Sequence, residues 1–173
     1  MDANLLVTFD PNHIGKASEE VKALLEDIGD FEFLDSNVDG VFLLKTKKDS
    51  KKIVKELKEI CKENPKKFEY TFHWVPIERW CKSTIEDMID VMKDIDNRMD
   101  PNKSWKMDLN KRNFKEDTMS LIIKLTDHIN KPKVDLKNPQ QIVKVEILGD
   151  KTGISLLDAD ELLDIPKIKR EFE

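Results

Sequence analysis

Lys111, Arg112 and Asn113 stand in succession after the alternating segment WKMDLN (Trp105–Asn110) and offer the chain's clearest ligand-binding chemistry. A guanidinium forks onto a phosphate through parallel N–H donors, and an ammonium supplies a point charge. An amide presents both donor and acceptor to a base edge or ribose. The period of two along a strand puts Lys106 on the same face as Arg112, with Lys103 just ahead of it. The run VDLKNP (Val134–Pro139) then brings Lys137 and Asn138, and Lys144 and Lys151 follow. From Pro101 to Lys151 there are 11 Lys and Arg against 7 Asp and Glu, although the 173-residue chain carries a formal charge of −5. Charge segregated in this way suits a local surface for polyanions on a chain whose acidic remainder limits indiscriminate binding.

Other kinds of chemistry find little support in the sequence. Cys61 and Cys81 form no CxxC pair and have no clustered histidine, which argues against structural zinc and against a disulfide framework. His13, His73 and His128 lie far apart, outside any HxH or HExxH pattern, so no metal is expected. Only five glycines are present, and none forms a GxxxxGK[ST] or GxGxxG turn, so no nucleotide cofactor is expected either. No GxSxG elbow appears. Carboxylates are numerous but fall in helix first turns and on solvated faces, and a general acid–base pair among them stays open. The opening residues MDANLLVTF carry no basic signal region, and no window holds about 18 apolar residues. A cytoplasmic protein with no membrane partner is expected.

The elements that must position these groups follow from periodicity. Leu5–Phe9 reads as a strand, and Val21, Leu24, Leu25 and Ile28 mark a helix ended by Gly29. Phe31–Leu34 and Val41–Leu44 read as strands joined at Asn37–Gly40. Asp49 or Ser50 caps a helix carrying Ile53, Val54, Leu57 and Ile60, and Phe68–Val75 reads as a strand with Phe68, Tyr70, Phe72 and Trp74 on one face. This βαββαβ order makes residues 1–76 a ferredoxin-like domain. RNA-recognition domains of that topology stack bases on central-strand aromatics, but here Leu6, Val41 and Leu43 occupy those positions.

Pro76–Lys82 reads as a connection, and Ser83 with Glu86 as the capping box of a helix bearing Ile85, Met88, Ile89, Met92 and Ile95. A strand at Lys103–Arg112, a helix near Glu116–Ile129 and strands around Val143–Ile147 and Ile154–Leu157 follow, the last two joined at Gly149 and Gly153. A short helix (Asp158–Leu163) and the tail Pro166–Arg170 close the chain. The whole is expected to be α+β, with residues 77–173 forming a second domain.

The pieces WKMDLNKRN (Trp105–Asn113), the helix after it, VDLKNP, IVKVEIL (Ile142–Leu148) and GISLL (Gly153–Leu157) resemble, in order and spacing, the THUMP domain. That is an RNA-binding module of tRNA-modifying proteins, commonly preceded by a ferredoxin-like domain. Such proteins usually add a catalytic domain, and this chain stops almost where THUMP does. The resemblance therefore implies a non-catalytic tRNA-binding adaptor. It would present the acceptor stem and 3′ CCA end to a separate enzyme, by similarity the RNA acetyltransferase that forms N4-acetylcytidine. Lys103, Lys106, Lys111, Arg112, Asn113, Lys137, Asn138 and Lys151 are the RNA-binding candidates, with no catalytic residue and no cofactor. Two alternatives stay open: a self-contained RNA-modifying or RNA-processing enzyme, and a protein-interaction module.

Overall fold

The computed structural model describes residues 2–172 and divides them into two compact units. The first holds the chain up to Ile77 together with the segment from Asp160 onward, and the second holds Glu78–Ala159.

In the first unit β1 (Leu5–Phe9), α1 (Ile14–Leu25), β2 (Phe31–Leu34), β3 (Val41–Thr46), α2 (Ser50–Glu63) and β4 (Thr71–Pro76) follow in the βαββαβ order. The strands lie β2-β3-β1-β4, all antiparallel, which is the ferredoxin-like arrangement. Each apolar stripe explains its element. Val21 and Leu25 of α1, and Ile53, Val54, Leu57 and Cys61 of α2, pack on Leu5, Val7, Leu44 and Trp74. Asp49 caps α2 by accepting the Lys51 N–H at 3.0 Å. Leu6, Val41 and Leu43 are buried, so no base platform exists at those positions.

The second unit runs β5 (Arg79–Lys82), α3 (Ile85–Arg98), β6 (Trp105–Arg112), α4 (Thr118–Thr126), β7 (Gln141–Leu148) and β8 (Lys151–Asp158). Its sheet is ordered β5-β8-β7-β6, with β6 and β7 parallel and the other pairs antiparallel. Met88, Val91, Met92 and Ile95 of α3 and Leu121 and Leu125 of α4 cover one sheet face, against Met107, Leu109, Val143, Val145, Ile147 and Ile154. The chain is thus mixed α/β, with a sheet in each unit.

Several local expectations need correction. Arg79–Lys82 is a strand and not a connection, because β8 supplies its hydrogen-bonding partner. Thr84, not Ser83, caps α3 by accepting the Asp87 N–H at 3.2 Å, while the Ser83 hydroxyl meets that of Thr152 at 2.8 Å. Phe68 and Tyr70 precede β4, whose strand begins at Thr71. Gly149 makes the β7–β8 turn with φ +60°, whereas Gly153 lies inside β8.

The largest difference is at the chain's end. Residues 159–161 form one 3-10 turn, Leu163–Asp164 is the short strand β9 pairing with β4, and Ile165–Glu171 is helix α5. Residues from Asp160 onward therefore sit in the first unit, not with the second domain expected over 77–173.

Candidate nucleic-acid interface

Strand register assembles the site on the second sheet's other face. Arg112 is paired with Leu148, Leu148 with Lys151, and Lys151 with Lys82. Cross-strand partners share a face, so one transverse row carries three cations on three strands. Lys82 and Lys151 face each other directly and are exposed, and neither ammonium has a carboxylate partner among the described residues. Like charges in that arrangement repel, and an anion laid across them relieves the repulsion.

Behind this row, two residues back along each strand, stand Asn110, Glu146, Gly153 and Trp80, and behind those Asp108, Lys144 and Ser155. Glu146 is 1% exposed and accepts Arg112 Nη1 at 3.0 Å and Lys144 Nζ at 3.1 Å. Lys144 reaches on to Asp108 Oδ2 at 3.2 Å, and Asn110 Nδ2 donates to Glu146 Oε1 at 3.3 Å. The ladder alternates in sign from Asp108 through Lys144 and Glu146 to Arg112, so each buried charge has an opposite neighbour. Lys144 is buried and enclosed by carboxylates, out of a ligand's reach.

The other expected residues fall in different places. Lys111 points to the opposite side of β6, where its ammonium donates to the carbonyls of Glu116 at 2.6 Å and Phe114 at 3.4 Å. It thereby fastens the loop into α4. Asn113 is exposed and holds φ 57°, alone among the described non-glycine residues in a positive φ. The Gly149 N–H beside it donates to the Arg112 carbonyl at 2.8 Å.

Lys106 shares the face of Arg112 but lies six residues away, roughly 20 Å along the strand. Lys103 is also at that end, 3.9 Å from Asp158. Lys137 and Asn138 are exposed on the β6–β7 connection, their backbone N–H groups donating to Asp135 Oδ1 at 3.0 and 3.1 Å. That connection runs beside the start of β6, since the Asp135 N–H donates to the Trp105 carbonyl at 2.9 Å. The candidates thus divide into two groups: Arg112, Asn113 and Lys151 at one end of the sheet, and Lys103, Lys106, Lys137 and Asn138 toward the other. Lys82 joins the first group. Sequence reasoning missed it by taking β5 for a connection, since the four residues RWCK, two apolar between two cations, carry no alternating pattern and become a strand by pairing with β8.

Nucleophilic chemistry is disfavoured at the one cysteine of this unit. Burial first, and the nearby Asp87 charge second, push the Cys81 thiol up to about 11, which leaves it protonated near neutrality. No cluster of three or more metal-ligating side chains occurs among the described residues, and no helix there is long and apolar enough to cross a membrane.

Comparison with known proteins fits this architecture. The family model described as the THUMP domain matches residues 82–157. Among solved structures, PH1313 from Pyrococcus horikoshii Ot3 superposes with a TM-score of 0.61 at 14% identity, covering 90% of this chain and 55% of that one. TrmN from Thermus thermophilus superposes with a TM-score of 0.56 at 15% identity, covering 88% of this chain and 44% of that one. The chain therefore spans about half the length of these proteins. No curated protein sequence matches it. Residues 82–157, from the last residue of β5 through α3, β6, α4 and β7 into β8, are thus assigned to a THUMP domain.

Proposed function

We propose that this chain is a non-catalytic, cytoplasmic tRNA-binding adaptor that presents the acceptor stem and 3′ CCA end to a tRNA-modifying enzyme. The observation that carries the reading is the row Arg112–Lys151–Lys82 on the exposed end of a THUMP sheet. A single-stranded end offers phosphates to the three cations and base edges and ribose hydroxyls to Asn113. The second group, with Lys106, Lys137 and Asn138, serves a more distant part of the same backbone. The adaptor role and the N4-acetylcytidine-forming acetyltransferase as partner rest on the resemblance in sequence to stand-alone THUMP proteins.

The decisive comparison is binding of a folded tRNA transcript with and without its 3′ CCA, together with an assay for modified nucleotides by the chain alone. Weaker binding without CCA, and no modification unless an enzyme is added, is the expected result. Equal binding to both RNAs would replace acceptor-end capture by general polyanion binding. Modified product from the purified chain would make it an enzyme.

One feature favours the protein-interaction reading. Met119 and Ile123, one turn apart on α4, are 62% and 58% exposed. If they hold a protein partner, M119S/I123S will keep tRNA binding and lose complex formation with the acetyltransferase.

A further inference from the structure

Glu146 presents a contradiction: a buried carboxylate lies directly behind a row of cations that ought to attract an anion. We propose that Glu146 is a positioning residue for RNA, acting through Arg112. This inference rests on the tRNA-binding reading and names the device that makes Arg112 effective.

The geometry is that of a clamp. Glu146 Oε2 takes a single guanidinium nitrogen, Arg112 Nη1, at 3.0 Å, and no other protein partner of that guanidinium exists among the described residues. The Nη2 and Nε donors therefore stay available for a bidentate grip on a phosphate. The other carboxylate oxygen, Oε1, is held by Lys144 and Asn110, and Lys144 by Asp108. A carboxylate fastened on both sides cannot follow Arg112, so Arg112 must follow it. Gly153, the cross-strand neighbour of Glu146 on β8, adds no side chain beside the carboxylate. Burying ions in a sheet is costly, and hydrophobic residues of similar volume often replace such groups without loss of stability, so stability alone is a weak reason for the ladder. Holding an arginine in one orientation lowers the freedom it loses on binding.

The test turns on sign. By charge alone, E146Q removes a negative group from beside the cation row and should tighten tRNA binding. A positioning role demands the reverse. Expected for E146Q is a roughly tenfold loss of affinity for the folded tRNA transcript, with the log–log salt slope shallower by about one phosphate contact. The same substitution in an R112Q background should change affinity by less than about twofold, whereas its effect should persist in a K151A background. E146D keeps the charge and withdraws the carboxylate by one methylene, so it should also weaken binding, and it serves if E146Q does not fold. Unfolding midpoints separate lost structure from lost positioning. Unchanged or tighter binding by E146Q, or a full effect in the R112Q background, would overturn the inference while wild-type binding kept the tRNA reading intact. Absence of wild-type binding would overturn both.

Discussion

Lys111 and Arg112 are neighbours in sequence and work on opposite sides of β6. From composition the two cations look interchangeable, and the sequence reading grouped them with Asn113 as one cluster. The alternation that puts Lys106 with Arg112 also sets Lys111 on the other side, so this much was legible. What periodicity could not show is that two carbonyls, of Phe114 and Glu116, wait there for the ammonium. Nor could it show that Glu146, a distant residue in an apolar run, meets Arg112, because that contact depends on the parallel register of β6 and β7. The two lysines of the strand should therefore respond differently. Lys111→Met strips two loop carbonyls of their partner and should cost about 1–2 kcal/mol in denaturant unfolding. Lys106→Ala removes a cation with no ion pair among the described residues, so stability should hold within about 0.5 kcal/mol. Its tRNA affinity should drop a few-fold. If Lys111→Met leaves the unfolding midpoint in place, its ammonium is free for RNA after all.

Elements with strong apolar stripes were readable, which is why the βαββαβ order and the helices α2 and α3 were recognisable from residue types alone. Short elements whose existence depends on a partner were not. β5 is four residues flanked by charges, and β9 is two residues long, and both are strands only because β8 and β4 accept them at an edge. Pro166 was taken as part of a tail, but it lies in the first turn of α5, where a missing N–H costs nothing. Asp164 caps that helix by accepting the Lys167 N–H at 3.1 Å, and it also meets His73 Nε2 at 3.4 Å. The hydrogen bond from His73, ahead of the backbone bond from Lys167, outweighs burial and holds the Asp164 carboxyl below its ordinary value. A carboxylate with a depressed folded pKa stabilises the fold above its unfolded value of about 3.9, and the contribution is lost as pH falls through the depressed value. Asn caps a helix as well as Asp, so D164N isolates the charge. The variant should unfold more easily than wild type at neutral pH, by about 1 kcal/mol for this half-exposed group. The difference should shrink as pH falls through the depressed value, and a gap that stays unchanged through the acid limb of the unfolding profile would assign the effect to packing instead.

At the scale of the molecule, net charge misleads. The second unit holds 15 Lys and Arg against 15 Asp and Glu and is neutral, whereas the first holds 15 against 20 and carries the whole deficit. Within the neutral unit the signs are sorted. Glu86, Asp87, Asp90, Asp94 and Asp96 cluster on α3, whereas Lys82, Lys106 and Lys151 stand on the sheet face and Lys137 on the connection into β7. Segment counting in the sequence found the excess from Pro101 to Lys151. It could not find that Lys144, Lys124 and Lys131 within that excess are consumed by Glu146, Glu116 and Asp96. The number of cations with donors left to meet a phosphate, not the count of basic residues, sets the electrostatics of binding. With Arg112, Lys151, Lys82 and Lys106 each meeting a phosphate, the log–log salt slope for tRNA should be about −3. Raising salt from about 50 to about 200 mM should then cost roughly 60-fold in affinity. If all the basic residues of the segment contributed, the slope would exceed that severalfold. A slope near zero would show that the row touches no phosphate, and the sheet face would lose its claim to be the RNA surface.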